Sequence, residues 1–354
     1  MLKMKNTNFL TANSSIKDAI RLIESCAERL AIVFEEDGTV LGTLTDGDVR
    51  RAILNGIDIS ENVIKAMNKS PITANILDSK SKYDELLVKN NIRSILLLDS
   101  KGKFKKTYSQ SESGQNLLDG FINAKNTFSF AVIMAGGEGT RLLPITSNLP
   151  KPMVDINGTP LLERQIENLK KIGVKKIYIS VNYLSEVIKD YFGDGSRWDV
   201  QINYLNENKK LGTAGGLSLI KNINESSNFL VINGDILTES NLLSLYNFHI
   251  KRKSMITIGA VNHHVNIPYG VIRQENGRMI ELVEKPIESY LCNAGIYALN
   301  SSLLGEIPKE TFWNMTDLID HCLMKSEVIS VFPVYEYWSD IGTPSDLEEA
   351  RKKY

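Results

Sequence analysis

The 354-residue chain is longer than most single domains and predicts two or three structural units. Hydrophobic residues make up 42% and charged residues 23%, as in ordinary globular proteins, and no run approaches the roughly 20 apolar residues that cross a bilayer. The formal net charge of -1 disfavours nucleic-acid binding, which needs positive charge. We therefore expect a cytoplasmic protein that binds neither nucleic acid nor membrane, and its three scattered cysteines fit free thiols.

The first predicted unit is a small α+β repeat over residues 1–60. Apolar residues recur at helical spacing across Ile16–Ile23. The apolar runs Leu30–Phe34 and Val40–Leu44 then flank a turn, which is the pattern of a β-hairpin. This order predicts a helix followed by two antiparallel strands.

This repeat ends in a strand-to-helix turn whose residues could bind a ligand. The segment GTLTDGDVRR, which starts at Gly42, resembles the strand-to-helix turn of a CBS domain. The resemblance implies an adenine nucleotide whose phosphate meets Thr45 and whose ribose meets Asp48. The alternative is a helix cap, because a hydroxyl and an acidic side chain both stabilise the first turn of a helix.

A second, degenerate copy is predicted over residues 61–120, together with a linker that begins at Ser109. Neither copy is large enough to bury a full core, so we expect the two to pack together. Lys106, Ser109 and Glu112 stand where the first copy has its glycine, hydroxyl and acid. Because the glycine is lost, we do not expect a second intact nucleotide site. A structural or dimerising module is the alternative function, and we expect a homo-oligomer.

Strand and helix patterns alternate over the third predicted unit, residues 128–354. Phe128–Met134 is a nearly continuous apolar run, typical of a buried parallel strand. An amphipathic helix follows from Leu162, a further helix is predicted to start over Ala214–Ile220, and further strands are predicted at Ile177–Val181 and Phe229–Ile232. The alternation predicts a doubly wound, mostly parallel α/β sheet of Rossmann-like type, with ligands beyond the carboxyl ends of its strands.

A glycine-rich loop, Gly136–Arg141, follows the first of these strands. Glycines let backbone N–H groups approach an anion closely, and Arg141 supplies a forked cation, so the loop predicts phosphate binding. With Lys151–Pro152 behind it, the pattern resembles the signature of sugar-phosphate nucleotidyltransferases. Further matching motifs, in the order of that family, are Leu211–Gly216, Val231–Asp235, Glu284–Pro286, Asn293–Gly295 and Trp338–Gly342.

The resemblance implies transfer of a nucleotidyl group from an NTP to a sugar 1-phosphate, with release of pyrophosphate. Arg141 and Lys151 would clamp the phosphates, and Asp235 and Asp340 match the metal-binding aspartates of the family. The implied metal is Mg²⁺, which prefers carboxylate and phosphate oxygens. The implied nucleotide-binding residues are Ala135, Gly136, Gly137, Gly139, Thr140, Glu207, Gly212 and Thr213.

Lys285 matches the lysine that holds the phosphate of the sugar, and Glu284 and Asn293 would bind hydroxyls or an amino group. The implied sugar-phosphate residues are Tyr269, Gly270, Glu284, Lys285, Asn293 and Gly295. Glu207 precedes Gly212 at the spacing of mannose-1-phosphate-type guanylyltransferases. A carboxylate accepts from both N1–H and the amino group of guanine, so Glu207 favours GTP over UTP or dTTP.

Fusion of tandem CBS domains to this catalytic unit resembles bacterial guanylyltransferases that make GDP-glucosamine for legionaminic acid synthesis. The resemblance favours glucosamine 1-phosphate as the acceptor. Uridylyl-, cytidylyl- and mannose-1-phosphate guanylyltransferases stay open as alternatives. An enzyme of another class, a metal-dependent glycosyltransferase, would normally show D-x-D where this chain has Asn233–Asp235.

Overall fold

A computed structural model describes residues 8–26, 29–35, 38–90, 92, 94–109, 127–221 and 227–354. The chain divides into two compact units, residues 1–126 and 127–354. Among the residues described, no helix combines the length and the apolar character that crossing a membrane requires. The predicted repeat boundaries at residues 60 and 120 stay predictions.

In the described residues of the first unit, two three-stranded sheets share the same topology. The first copy consists of β1 (Phe9–Thr11), α1 (Ile16–Ser25), β2 (Leu30–Phe34), β3 (Val40–Thr45) and α2 (Asp46–Leu54). The second consists of β4 (Thr73–Asn75), α3 (Lys80–Asn90), β5 (Ser94–Leu98) and β6 (Phe104–Ser109). In each sheet the central strand, β2 or β5, is parallel to one neighbour and antiparallel to the other. The two copies thus share one topology in the described residues, and the assignment of the second as a degenerate CBS copy stays a prediction.

Aromatic rings join the two copies. The rings of Phe9, Phe34 and Phe104 meet edge to face, with centroids between 4.9 and 5.7 Å apart. They cover a buried cluster to which Ile32 and Leu96 belong. The expectation that the copies pack against each other is confirmed, since each contributes side chains to this shared cluster.

The start of the predicted linker is wrong by one residue. Ser109 belongs to β6 because it pairs with Ser94 of the neighbouring strand. The rest of the predicted linker, including Glu112, lies outside the described residues.

The second unit is built on one large sheet. The strands of this unit are β7 (Ala131–Met134), β8 (Asp155–Ile156), β9 (Thr159–Pro160), β10 (Lys176–Val181), β11 (Gln201–Asn206), β12 (Asn228–Asn233), β13 (Ile236–Thr238), β14 (Ile256–Asn266), β15 (Val271–Glu275), β16 (Arg278–Val283), β17 (Ile287–Asn300), β18 (Ile329–Val334) and β19 (Trp338–Asp340). The order of the large sheet in the described part of the chain is β11-β10-β7-β12-β17-β14-β18, and only β17 runs antiparallel to its neighbours. The predicted mostly parallel α/β fold is therefore confirmed. The helices are α4 (Leu161–Lys171), α5 (Ser185–Phe192), α6 (Gly212–Gly215), α7 (Leu242–Arg252), α8 (Met315–Met324) and α9 (Pro344–Lys353).

Helices cover both faces of this sheet. Neighbouring residues of β7 show the alternation, since Val132 packs into one buried cluster with α8 and Ile133 into the other with α4. A third cluster seats α9, through Leu347, on Leu237 of β13 and Ile341. These cores fix the carboxyl ends of β7, β10 and β12 side by side, where the sequence predicts the ligands.

Two predicted elements differ in extent. The apolar run at Phe128 becomes a strand only at Ala131, although Phe128 is already buried in the core. The helix predicted from Ala214 is a single turn, α6, followed by a 3-10 turn over Gly216–Leu219. Glycine disfavours a long helix, and here it serves close packing, because a Cβ on Gly215 would lie 2.4 Å from a backbone oxygen.

Candidate active site

The glycine-rich loop leaves β7 and is tied down at both ends. The backbone N–H of Ala135 donates to the carbonyl of Ser180 at 2.9 Å, which anchors the loop to β10. At the other end the Thr146 hydroxyl donates to the carbonyl of Gly139 at 2.8 Å. Gly139 has a φ of +63°, and a Cβ there would lie 2.9 Å from the Cβ of Lys151. Only glycine meets both conditions, so the loop backbone lies directly against the predicted catalytic lysine.

Lys151 joins the two predicted metal-binding aspartates. Its side chain is 10% exposed, and Nζ lies 2.6 Å from Oδ2 of Asp235 and 3.4 Å from Oδ1 of Asp340. The aspartates meet because β13 pairs with β19, and the N–H of Ile341 donates to the carbonyl of Asp235 at 2.9 Å. The structure thus brings together residues that are far apart in the sequence.

Charges of both signs crowd this cluster. Burial and the neighbouring charge of Asp235 raise the pKa of Asp340, against the opposing effect of Lys151 and Arg141. The Arg141 guanidinium packs on Gly342, where a Cβ would lie 3.2 Å from its nitrogens. Arg141, Lys151, Asp235 and Asp340 therefore form one site, which we call the carboxylate cluster.

The carboxylate cluster suits a hard divalent cation. The two aspartates supply oxygen donors, and the Lys151 ammonium between them shows that the pair attracts positive charge. Within the described residues, no group of three or more His, Cys, Asp or Glu side chains is placed to hold a metal. Mg²⁺ is commonly held by one or two carboxylates together with substrate phosphates and water, so the donor set fits that ion.

Glu207 organises the predicted nucleoside turn from within. Its Oε1 accepts a hydrogen bond from the Ser180 hydroxyl, and its Oε2 accepts one from the N–H of Leu211 at 3.0 Å. A Cβ on Gly216 would lie 2.9 Å from the Ser180 hydroxyl oxygen and 3.0 Å from Oε1, so a larger residue there would displace these side chains. Each carboxylate oxygen keeps lone pairs for a further donor, so Glu207 is both a support of the turn and a candidate reader of the base.

Gly212 and Thr213 fix this turn to α8. Gly212 has a φ of +78°, and a Cβ there would lie 2.5 Å from the carbonyl oxygen of Trp313. The Thr213 hydroxyl accepts from the N–H of Met315 at 2.8 Å. The glycine-rich loop Gly136–Arg141, which we call the phosphate loop after its predicted role, is also linked to the predicted nucleoside turn, by a 2.9 Å ion pair between Glu138 and Lys210.

The predicted sugar-phosphate residues fall into two groups. In the first, at the base of the β15–β16 hairpin, the N–H of Lys285 donates to the carbonyl of Tyr269 at 3.2 Å. A Cβ on Gly270 would lie 2.8 Å from Oε2 of Glu284. Tyr269, Gly270, Glu284 and Lys285 are all exposed, so a ligand can reach this group.

The second group connects to the carboxylate cluster through Asn233. Asn293 donates to the Tyr297 hydroxyl at 2.8 Å and accepts from the N–H of Gly295 at 3.0 Å. Gly295 has a φ of +68°, and a Cβ there would lie 2.7 Å from Nδ2 of Asn233. Asn233, whose buried Oδ1 has no hydrogen-bond partner among the described residues, precedes the Gly234–Asp235 turn.

Sequence reasoning missed Asn233 and a second polar residue, Gln165. Gln165 is buried on the core face of α4 and donates to the turn that carries Asp235. The only signal in the sequence is a glutamine inside an apolar stripe.

In the first unit, Thr45 and Asp48 form a helix cap. The N–H and the hydroxyl of Thr45 donate to Oδ2 of Asp48 at 2.8 and 2.6 Å, and Arg51 binds the other oxygen. A Cβ on Gly42 would lie 2.5 Å from the carbonyl oxygen of Asn68, so this glycine lets the following segment pair with β3. The cap that the sequence offered as the alternative interpretation is therefore present.

Family comparisons agree with the geometry of both units. The Nucleotidyl transferase family profile matches residues 130–354, and the CBS domain profile matches residues 4–55. The chain belongs to the nucleotidyl transferase family and carries a CBS domain in its first unit.

Individual relatives cover the same part of the chain. It is 37% identical over 228 residues to the bifunctional protein GlmU of Methanococcus aeolicus, covering 62% of this chain and 53% of that protein. It is 36% identical over 233 residues to mannose-1-phosphate guanyltransferase of Yarrowia lipolytica, covering 61% of each. The chain thus spans between 53% and 61% of these curated relatives.

A solved structure is similar as well. HddC from Yersinia pseudotuberculosis is 30% identical, with a TM-score of 0.51 over 64% of this chain and 99% of that one. The same protein has been solved in complex with GMP-PN.

Proposed function

We propose that the chain transfers a nucleotidyl group from an NTP to a hexose 1-phosphate. A phosphate oxygen of the sugar attacks the α-phosphorus, a new P–O bond forms, and the bond to the β-phosphate breaks, so that pyrophosphate leaves. The observation that carries this proposal is the bonding of Lys151 to both Asp235 and Asp340 behind a glycine loop. Such chemistry depends on positioning and charge neutralisation more than on proton transfer.

The proposed roles follow from the contacts. Backbone N–H groups of Gly136–Gly139 and the Arg141 guanidinium would bind the triphosphate. Lys151 would neutralise charge that develops on the pyrophosphate. Mg²⁺, held by Asp235 and Asp340, would act as a Lewis acid on the phosphates when bound. The carboxylates themselves orient Lys151 between them.

We propose GTP as the nucleotide. Glu207 lies at the nucleoside turn with lone pairs to spare, and relatives include proteins named as guanyltransferases. Gln in its place would offer only one acceptor to guanine. We expect Glu207→Gln to lower the ratio of kcat/KM for GTP to that for UTP about tenfold or more. An unchanged ratio with equal losses for both nucleotides would leave Glu207 with the structural role alone.

We propose glucosamine 1-phosphate as the acceptor, for surface glycan or nonulosonic acid synthesis. The support is the exposed Glu284 carboxylate against Gly270, because a carboxylate attracts the ammonium of an amino sugar. Lys285 on the same turn would meet the sugar phosphate. Mannose 1-phosphate has no amine for Glu284 to bind. It stays the alternative acceptor, and substrate profiling distinguishes the two sugars.

The central test is a matrix of NTPs against hexose 1-phosphates, with products identified by mass spectrometry. We expect GDP-glucosamine and pyrophosphate as the main products. Radiolabelled pyrophosphate exchange into NTP, dependent on an NDP-sugar, separates this class from glycosyltransferases. Absence of exchange with all common NDP-sugars would contradict the proposal.

Three further proposals concern the whole chain. We propose that an adenine nucleotide binds the first unit at Thr45 and Asp48, that the protein is a homo-oligomer, and that it acts in the cytoplasm. The capped geometry of Asp48 supports a preformed turn at that place. Calorimetric titration of AMP and ATP tests the first of these, and light scattering tests the second.

A further inference from the structure

A buried glutamine spans the turn that carries Asp235. Gln165 is 5% exposed and lies on the core face of α4, between apolar neighbours such as Ile166 and Leu169. Its Nε2 donates to the carbonyl of Asn233 at 2.9 Å and to the carbonyl of Ile236 at 2.7 Å. Both hydrogens of the amide are thereby used, one at each end of the turn.

Burying the Gln165 amide among apolar side chains costs free energy, which indicates that the turn needs the hydrogen bonds that Gln165 donates. The Oε1 of Gln165 is buried without a hydrogen-bond partner among the described residues, and such an atom loses its hydration without compensation. An apolar side chain would suit the surrounding core better. The benefit therefore lies with the two carbonyls, which would otherwise be left without this donor.

The turn itself has little room to adopt another conformation. The N–H of Gly234 donates to the carbonyl of Met134 at 2.9 Å, and a Cβ on Gly234 would lie 2.7 Å from that same oxygen. Those contacts fix the start of the turn against the phosphate loop. Gln165 joins its two ends by two donated hydrogen bonds, and Asp235, within the turn, binds Lys151.

We propose that Gln165 is a positioning residue for nucleotidyl transfer. Its amide holds the Asn233–Ile236 turn in the conformation that directs the Asp235 carboxylate at Lys151 and at a divalent cation. The inference rests on the proposed role of Asp235. Residues that orient a metal ligand commonly contribute about 10- to 100-fold to activity or metal affinity.

The test variant is Gln165→Met, which keeps the volume and removes the donor. The matched control is Asn168→Leu, on the same helix. Asn168 donates to the carbonyl of Thr238 at 3.2 Å, beyond the turn but on the same strand, β13. Gln165→Met loses two hydrogen bonds from α4 and Asn168→Leu loses one, and only Gln165→Met loses the contact across Asp235.

Three readouts are taken on full-length protein whose folding is checked by circular dichroism. These are kcat with KM for the NTP, Mn²⁺ affinity by electron paramagnetic resonance without turnover, and hydrogen exchange of peptides that contain Asp235. For Gln165→Met we expect kcat to fall about 10- to 100-fold and Mn²⁺ to bind about 10-fold more weakly, with little change in KM. Exchange should rise at the turn, and Asn168→Leu should match wild type in kcat and Mn²⁺ affinity.

Folded Gln165→Met with wild-type kcat and Mn²⁺ affinity overturns the inference. If that variant does not fold, Gln165→Asn takes its place, because the shorter side chain keeps the amide but cannot reach both carbonyls. Asp235→Asn separates the two levels of the argument. Wild-type activity in Asp235→Asn refutes the proposed site itself, whereas its inactivity beside a fully active Gln165→Met refutes only the positioning role.

Discussion

The ammonium of Lys151 donates to Oδ2 of Asp235 at 2.6 Å and so ties the segment behind the phosphate loop to the end of the central strand β12. Lys151 also reaches Asp340, on a strand that pairs with the one after Asp235. One buried cation therefore balances two carboxylates that repel each other. Removing it changes both the phosphate site and the stability of the cluster.

Lys151→Met should reduce kcat about 100- to 1000-fold, the loss typical when one preorganised charge donor is removed from an active site. The melting temperature in EDTA should also fall, because the aspartates lose their shared cation. Added Mg²⁺ should then raise the melting temperature of Lys151→Met by more than it raises that of wild type. Steady-state rates and differential scanning fluorimetry with and without Mg²⁺ measure these effects.

Lys170→Met is the control, since Lys170 pairs with the largely exposed Asp199 on the surface. Its rate and its response to Mg²⁺ should stay within about twofold of wild type, as for exposed ion pairs in general. A Lys151→Met enzyme as active as this control would contradict the assignment of the site.

The sequence predicts local elements well and misses contacts between distant segments. The apolar runs that become β2, β10 and β12 carry their own signal, and the glycines and aspartates stand in recognisable motifs. No local pattern, by contrast, reveals that β17 inserts antiparallel between β12 and β14, because that pairing joins remote segments. The role proposed for Gln165 was missed for the same reason, since it depends on two carbonyls on another element.

Glu207 illustrates a second limit of prediction from the sequence, because one residue can have two roles. From sequence it reads as a base-recognition residue, whereas the structure also uses both of its oxygens to hold Ser180 and the Leu211 turn. The two roles share the same residue type, so spacing alone does not separate them.

Gly295→Ala tests the contact between the sugar-side strand and Asn233. Gly295 has a φ of +68°, and the added methyl would lie 2.7 Å from the Asn233 amide. We expect a loss of about 1–3 kcal/mol in the free energy of unfolding and a raised KM for the sugar phosphate. Denaturant titration and steady-state kinetics measure the two effects.

The matched variant is Gly277→Ala, because Gly277 has a φ of +79° but nothing lies within 4 Å of its Cβ position. It carries the backbone strain without the collision. Its smaller loss of stability and unchanged KM should isolate the contribution of Asn233. Equal effects in both variants would show that strain alone explains the glycine.

Asp48→Ala tests nucleotide binding by the first unit. Asp48 closes a capping box with Thr45, and Asp18 closes an equivalent one with Ser15 at the start of α1. Asp48→Ala and the control Asp18→Ala should both lower the melting temperature slightly, because each removes a helix cap. Only Asp48→Ala should abolish the heat of AMP binding in calorimetry; retained binding, or equal loss in Asp18→Ala, would assign Asp48 to capping alone.

His249 should make the second unit sensitive to acid. The ring is 1% exposed and lies between the Thr257 hydroxyl at 2.8 Å and the Asn228 amide oxygen at 3.0 Å. Burial lowers its pKa from 6.5 to about 4, so the folded state favours the neutral ring. The unfolded chain binds a proton at higher pH than the folded chain, and the stability present above pH 6.5 is lost as the pH falls toward 4.

The full loss amounts to about 3 kcal/mol, since each pKa unit corresponds to about 1.4 kcal/mol. Denaturant titrations at several pH values, followed by tryptophan fluorescence, measure it. The chain has three tryptophans, at Trp198, Trp313 and Trp338, so the signal reports on the second unit. His249→Gln removes the titrating group. Its free energy of unfolding should therefore fall less steeply than that of wild type below pH 6.5, and parallel curves for the two proteins would show that His249 does not titrate in this way.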